Sequence, residues 1–143
     1  MTIVHRTRAD LVGCPISAAI TTRGMELSVD DTVADAHRLF GKRAVRLLPV
    51  LDGATYVGAV DRDAIDGADP SAAVGRYAAA LVPTALATTP APEALAALDR
   101  HGGKRLVILG GDDATYVGLV CLRGDRDRLC VARTALAHCE RDD

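Results

Sequence analysis

Ala54-Thr55-Tyr56-Val57-Gly58-Ala59-Val60 returns sixty residues later as Ala114-Thr115-Tyr116-Val117-Gly118-Leu119-Val120, with a single change, Ala59 to Leu119. Self-similarity at a fixed spacing marks one structural unit used twice. Each copy is a β-branched and aromatic run with an internal glycine, the composition of a buried strand. Gly58 and Gly118 mark points where another backbone or a ligand approaches closely. Function is therefore expected where the two copies meet.

Working outward, each copy follows another apolar run of strand length, Val45–Leu51 and Arg105–Leu109. The joins are turns: Asp52-Gly53 is a hairpin signal, and Gly110-Gly111-Asp112-Asp113 is its counterpart. A helix precedes each run. Asp30-Asp31-Thr32 supplies a cap, and Val33, Ala36, His37, Leu39 and Phe40 fall near helical spacing up to Gly41. Pro90-Ala91-Pro92-Glu93 opens the second helix, and Ala94, Leu95 and Leu98 lead to Gly102-Gly103. Glu26–Val29 and Leu86–Thr88 read as brief strands. Through the helices and first long strands the copies align 59 apart, pairing Leu39 with Leu98 and Arg46 with Arg105; after the turn they align 60 apart. The second hairpin loop is then one residue longer.

The remaining segments are less regular. Residues 1–13 are polar, with a short helix near Ala9–Gly13, and Ile16–Thr22 is ambiguous. Ala64-Ile65 begins a short helix that stops at Gly67, and an alanine-rich helix is expected near Ser71–Ala80. Leu129–Ala132, after the charged Arg123–Arg128 stretch, reads as an extra strand where an amphipathic helix would be expected.

At 143 residues the chain fits one compact domain or two half-size repeats. A unit of about sixty residues is marginal alone, so the halves need each other. The expected division is 1–68, the first unit with its N-terminal segment, and 69–143, a linker helix and the second unit. Aromatics are 3% of residues, with no Trp and only Phe40 as Phe, so stacking platforms for single-stranded nucleic acid are nearly absent. A net charge of -2 argues against nucleic acid as partner. No apolar run approaches the roughly 20 residues of a membrane span, and no signal-peptide pattern opens the chain. Cys14, Cys121, Cys130 and Cys139 form no C-x-x-C pair, so the expectation is a cytoplasmic protein with reduced thiols. High Ala, Arg and Asp content points to a GC-rich bacterial genome.

Catalytic and metal signals are sparse. His5, His37, His101 and His138 are scattered, and there is no nucleophile elbow or glycine-rich phosphate loop. Cys121, Cys130 and Cys139 recur every nine residues, with only His138 nearby. Zinc would want closer pairs or interleaved histidines. Thiols acting as small hydrophobes fit better. Redox sensing through Cys130 or Cys139 is an alternative that requires an exposed thiol of lowered pKa.

A unit of strand–helix–strand–strand–helix, present twice, resembles the CBS (cystathionine-β-synthase) domain pair, or Bateman module. The matching residues are Asp31-Thr32-Val33, Leu48-Pro49-Val50-Leu51-Asp52, and Val57-Gly58-Ala59-Val60 with Asp61, and the likeness runs from about residue 9 to about residue 125. The resemblance implies a mixed α/β fold of tandem β-α-β-β-α units packed with pseudo-two-fold symmetry. It also implies homodimerisation, no enzymatic activity, and an adenine nucleotide or S-adenosylmethionine bound between units, regulating an effector protein.

In ligand-binding members of that family, the strand glycine is followed by two apolar residues, a Thr or Ser, and an Asp three positions later. The hydroxyl helps hold phosphate at a helix start, where amides and the helix dipole favour anions. Here those two positions are Asp61 and Ala64 in the first unit and Cys121 and Gly124 in the second, so neither copy keeps the motif. Asp63 and Asp125 each sit one residue out of register. Asp61 is a good N-cap, favoured over a ligand role because a carboxylate repels a phosphate. Arg46 and Arg105 stand where the family often places a cation facing the cleft, or are solvated strand-edge residues. Arg62 and Arg123 are candidates for phosphate, while Arg43 and Lys104 read as surface charge. Val57 and Val117 would line the cleft for a base, though as core residues they need no ligand. The expected function is a regulatory sensor of an adenosyl ligand. The alternatives are a ligand-free interaction or oligomerisation module, and a cysteine-based switch.

Overall fold

The computed structural model of the chain describes residues 3–21, 25–42, 45–136 and 139. Arg43 and His138 lie outside them. In chain order the elements are β1 (Ile3–Thr7), β2 (Leu27–Ser28), α1 (Val33–Phe40), β3 (Leu47–Asp52), β4 (Thr55–Asp61), β5 (Thr84–Leu86), α2 (Ala91–His101), β6 (Arg105–Leu109), β7 (Tyr116–Cys121), β8 (Arg128–Ala132) and α3 (Arg133–Leu136). Single 3₁₀ turns occur at Ala9–Leu11, Ile16–Ala19, Asp63–Ile65 and Val74–Tyr77.

The chain forms two compact units, one from residues 24–81 and one from residues 1–23 with 82–143. This differs from a division at residue 68. The 3₁₀ turn that precedes each brief strand explains the exchange. Val74 and Gly75 donate backbone bonds to Asp31 and Val29, inside the 24–81 unit. Ile16 and Ser17 donate to Thr89 and Ala87, inside the other. Each turn thus docks beside the brief strand and helix start of the unit it packs with, not those of the sequence that encodes it.

In the 24–81 unit the sheet order is β2-β3-β4, with β2 parallel to β3 and β3 antiparallel to β4. Helix α1 starts from a reciprocal cap: Asp35 N–H donates to Thr32 Oγ1 at 3.2 Å, and Thr32 N–H donates to Asp35 Oδ2 at 3.0 Å. Its buried face, Val33, Ala36 and Phe40, packs with Leu48, Val50 and Val60 of the sheet and with Ile65 and Val74. Apolar residues spaced three and four apart make that stripe.

The other unit repeats the plan as β5-β6-β7 and adds the antiparallel pair β1-β8. Helix α2 opens at Pro90 and ends at Gly102, whose φ of +88° suits the left-handed stop. Ala91, Ala94, Leu95 and Leu98 pack on Leu106, Ile108 and Val120 from the sheet, Leu129 and Val131 from β8, and Leu11, Ile16 and Ile20 from the N-terminal segment. The extra strand expected at Leu129–Ala132 is β8. Its partner β1 is hidden in a polar stretch, because its outer side faces solvent: Ile3 and His5 are exposed while Val4 is half-buried.

Strand register corrects the repeat alignment. Val50 faces Gly58 and Ile108 faces Gly118, so the offset is 58 residues in the first strand of the hairpin and 60 in the second. The helix caps agree: Thr32 and Pro90 are also 58 apart. The second hairpin connection is therefore two residues longer, Phe40 matches Leu98, and the counterpart of Arg46 is Lys104. Helix α2 runs 11 residues against 8 for α1, and a shorter loop absorbs the excess. Two further expectations change. The helix near Ser71–Ala80 is only the 3₁₀ turn Val74–Tyr77. The thiols are not all reduced: Cys14 and Cys139 form a disulfide across 125 residues, with Cα atoms 5.4 Å apart.

Candidate functional site

In the 24–81 unit, Asp61 ends β4 opposite Leu47. Its Oδ1 accepts the Ala64 backbone N–H at 2.8 Å, closing the Asp63–Ile65 turn. This is the capping role expected of it. Asp63 lies exposed in the turn itself. The Arg62 guanidinium donates to the Phe40 carbonyl and stands 5.6 Å over the Phe40 ring. Arg46 is exposed just ahead of β3. Val57 is 46% exposed on β4, so it is not the core residue its chemistry suggests. An open hollow of about 380 Å³ in this unit is lined in part by Glu26, Asp31, Asp35, Arg38 and Lys42. None of the site residues expected from sequence lines it. Two of its carboxylates are already engaged: Asp31 accepts Ser28 N–H, and Asp35 caps α1 and pairs with Arg38.

In the other unit, strand pairing assembles a row that no local pattern shows. Arg105 on β6 is opposite Cys121 on β7. Beyond Cys121 the chain bridges to β8 through Leu122 and Leu129, antiparallel. That register sets Cys121 opposite Cys130. Cys130 in turn is opposite His5 on β1. Opposed residues of antiparallel strands project from the same face. Arg105, Cys121, Cys130 and His5 therefore form one transverse row over four strands. The alternate residues Leu106, Leu122, Leu129 and Val131 are buried in the core on the other face, whereas both cysteines keep partial access to solvent.

The sulfurs are surrounded by potential cations. Arg123, two residues beyond Cys121 and exposed, donates from Nη1 to Cys130 Sγ at 3.4 Å. His5 Nδ1 lies 3.9 Å from the same sulfur. Burial pushes the Cys121 thiol above its ordinary pKa, against the opposing pull of Arg105, and the neighbouring Cys130 pushes in the same upward direction. Among the described residues no group of three or more His, Cys, Asp or Glu is placed to hold a metal ion.

Arg105, Cys121 and Arg123, named separately from the sequence, thus come together. Val117 packs against the core of the same unit. Arg46, Val57, Asp61 and Asp63 belong to the other unit. Cys130 and His5 were not among the expected ligand residues. The nine-residue cysteine spacing was the one available signal, and it acquires meaning only through strand register. The row has no copy in the 24–81 unit, where Leu47 and Asp61 take the places of Arg105 and Cys121.

Residues 18–69 match the family model for the CBS domain. No curated protein matches the chain. Among solved structures, the chain is similar to a putative acetoin utilization protein from Vibrio cholerae, with a TM-score of 0.65 at 16% identity over 75% of this chain and 83% of that one. It is similar to the cystathionine beta-synthase pair domain of a putative Mg2+ transporter from Shewanella oneidensis, with a TM-score of 0.61 at 23% identity over 71% of this chain and 61% of that one. It is also similar to the CBS domain of a bacterial CNNM/CorC family Mg2+ transporter solved with ATP, with a TM-score of 0.62 at 17% identity over 79% of this chain and 84% of that one.

Proposed function

We propose, from the premise that residues 18–69 of this chain are a CBS domain and that the chain has the fold of a CBS pair, that it is a regulatory module, not an enzyme, acting through contacts with a partner protein. The observation that carries this reading is the Asp61 carboxylate, 2.8 Å from the Ala64 amide. In a nucleotide site such amides face phosphate. Here a fixed negative charge stands beside them and repels a phosphate by about a kcal/mol or more in a partly buried setting. At the matching position of the other unit stands Cys121. It is followed by a tight turn closed by Arg126 N–H on the Arg123 carbonyl, with no helix start to receive an anion.

A second reading keeps an adenosyl ligand of the AMP, ATP or S-adenosylmethionine class, and the similarity to a CBS domain solved with ATP favours it. Under it, Arg46, Val57 and Asp63 serve one unit, and Arg105, Val117 and Arg123 the other. With either reading go a homodimer in the cytoplasm and an effector protein as the target of regulation. Among the described residues no helix is long and apolar enough to cross a membrane.

Thermal unfolding with AMP, ATP and S-adenosylmethionine separates the two. A bound ligand at a hundred times its Kd adds about 2.7 kcal/mol, a rise on the order of 5–10 °C for a chain this size. The interaction-module reading expects no rise with any of the three. A rise with one of them overturns it and establishes the adenosyl reading.

A further inference from the structure

We propose that Cys121 and Cys130 are a peroxide-responsive dithiol, with Cys130 the attacking thiol and Cys121 the thiol that resolves it to a disulfide. The inference is independent of the ligand question. It rests on the transverse row Arg105–Cys121–Cys130–His5 and on Arg123, which reaches the Cys130 sulfur.

Geometry permits the bond. Opposed residues of an antiparallel pair have Cα atoms roughly 4.5–5.5 Å apart, inside the span a disulfide bridges. Both side chains stand on the same face, so neither strand must turn over to bring the sulfurs together.

Chemistry assigns the roles. A thiolate is the nucleophile, and it forms where guanidinium or imidazolium groups surround the sulfur. Cys130 has the Arg123 guanidinium 3.4 Å from its sulfur and the His5 ring nitrogen 3.9 Å away. Burial raises the Cys121 thiol above its ordinary pKa and holds its proton on, as suits a resolving thiol. Partial exposure of both admits a small oxidant. The co-reactant is hydrogen peroxide or an organic hydroperoxide.

In the first step the Cys130 thiolate attacks one peroxide oxygen. An S–O bond forms, the O–O bond breaks, and hydroxide (or alkoxide) leaves and takes a proton from solvent. The product is a Cys130 sulfenic acid. In the second step the Cys121 sulfur attacks the Cys130 sulfur. The S–S bond forms, the S–O bond breaks, and the hydroxyl leaves as water with the Cys121 proton. Two electrons pass from the two thiols to one peroxide.

The test treats the full chain with hydrogen peroxide, alkylates it, digests it and maps the cysteines by mass spectrometry. Cys121 and Cys130 are expected to lose alkylation together and to appear as a linked peptide pair, distinct from the Cys14–Cys139 pair. In Cys121→Ser, Cys130 is expected to persist as a sulfenic acid, trapped by a 1,3-dicarbonyl reagent. In Cys130→Ser, Cys121 is expected to stay reduced. Arg123→Ala, a change at an exposed side chain, keeps both thiols and is expected to slow oxidation roughly tenfold, the effect of losing one charge-assisted contact to the reacting sulfur. Full alkylation of both cysteines after exposure that oxidises free cysteine overturns the proposal, as does undiminished oxidation of Cys121 in Cys130→Ser. An unchanged rate in Arg123→Ala overturns the assignment of Cys130 as the activated thiol.

Discussion

A Cβ added at Gly118 would lie 2.6 Å from Ile20 Cγ2, and one at Gly58 would lie 3.0 Å from the Ala79 nitrogen. The two repeated glycines therefore do the same thing: each lets an incoming segment lie flat on the last strand of its sheet. The backbone bonds confirm the docking. Thr21 N–H donates to the Leu119 carbonyl, and Ala59 and Ala79 exchange two bonds. Close approach was legible from glycine inside a strand pattern, but the approaching group is backbone and side chain from this chain. Gly118→Ala is expected to cost about 1–3 kcal/mol, the range for forcing an extra methyl into a packed core. Urea unfolding checks it, and an unchanged midpoint would mean that Ile20 moves aside freely. Asp61 belongs to this scale too. Its capping bond was the favoured reading of an acid at that position, because the fold of the turn decides it locally.

Helix α2 shows how an element is held by segments far away in sequence. Asp99 accepts two bonds from the Arg8 guanidinium at 2.7 Å and a third from Arg126 at 2.7 Å. Arg8 also donates to the Arg126 carbonyl, and Arg126 to the Gly103 carbonyl. The N-terminal segment, the helix end and the β7–β8 connection are thereby stapled together. The two guanidinium groups hold the Asp99 carboxyl far below the ordinary carboxylate range. Thr115 and the backbone at Ala114 hold Asp112 down to about 2. A carboxylate depressed in the folded state contributes stability above its unfolded pKa, about 3.9, and loses it as pH falls through the folded value. Stability is therefore expected to be level above about pH 5 and to fall steadily from about pH 4 downward. Denaturant midpoints measured from pH 6 to pH 2 check this, and Asp99→Asn should flatten the acid limb. At neutral pH that variant is expected to lose about 1 kcal/mol or less, since the Asp99 side chain is more than a third exposed. An acid limb as steep in Asp99→Asn as in the parent chain would remove Asp99 from the account.

At the scale of the molecule, one unit is the continuous stretch 24–81, while the core of the other closes around segments that are not contiguous in the chain. Residues 1–23 join 82–143, and the Cys14–Cys139 disulfide ties the two ends of that assembly together. A cross-link over 125 residues removes much of the unfolded chain's freedom. Its loss is expected to cost roughly 2–5 kcal/mol. Unfolding with and without dithiothreitol, beside Cys14→Ser under oxidising conditions, measures this. Equal midpoints in all three would leave the bond without a stabilising role.

Local chemistry determined much of this protein. The repeated strand, its hairpin partners, the helix starts at Thr32 and Pro90 and the extra strand at Leu129–Ala132 all follow from composition and short-range pattern. Residues close in sequence suffice to form them. The resemblance drawn from Leu48-Pro49-Val50-Leu51-Asp52 and the strand after it led to the fold found. The 58-residue offset was not legible, because a longer helix traded length with a loop and two residues moved into a hairpin. Strand β1 was not legible because half its side chains face water. Neither the Cys14–Cys139 bond nor the row through Cys121 and Cys130 is written in any spacing. Each depends on which strand lies beside which, and in what register, and only packing of the whole core decides that.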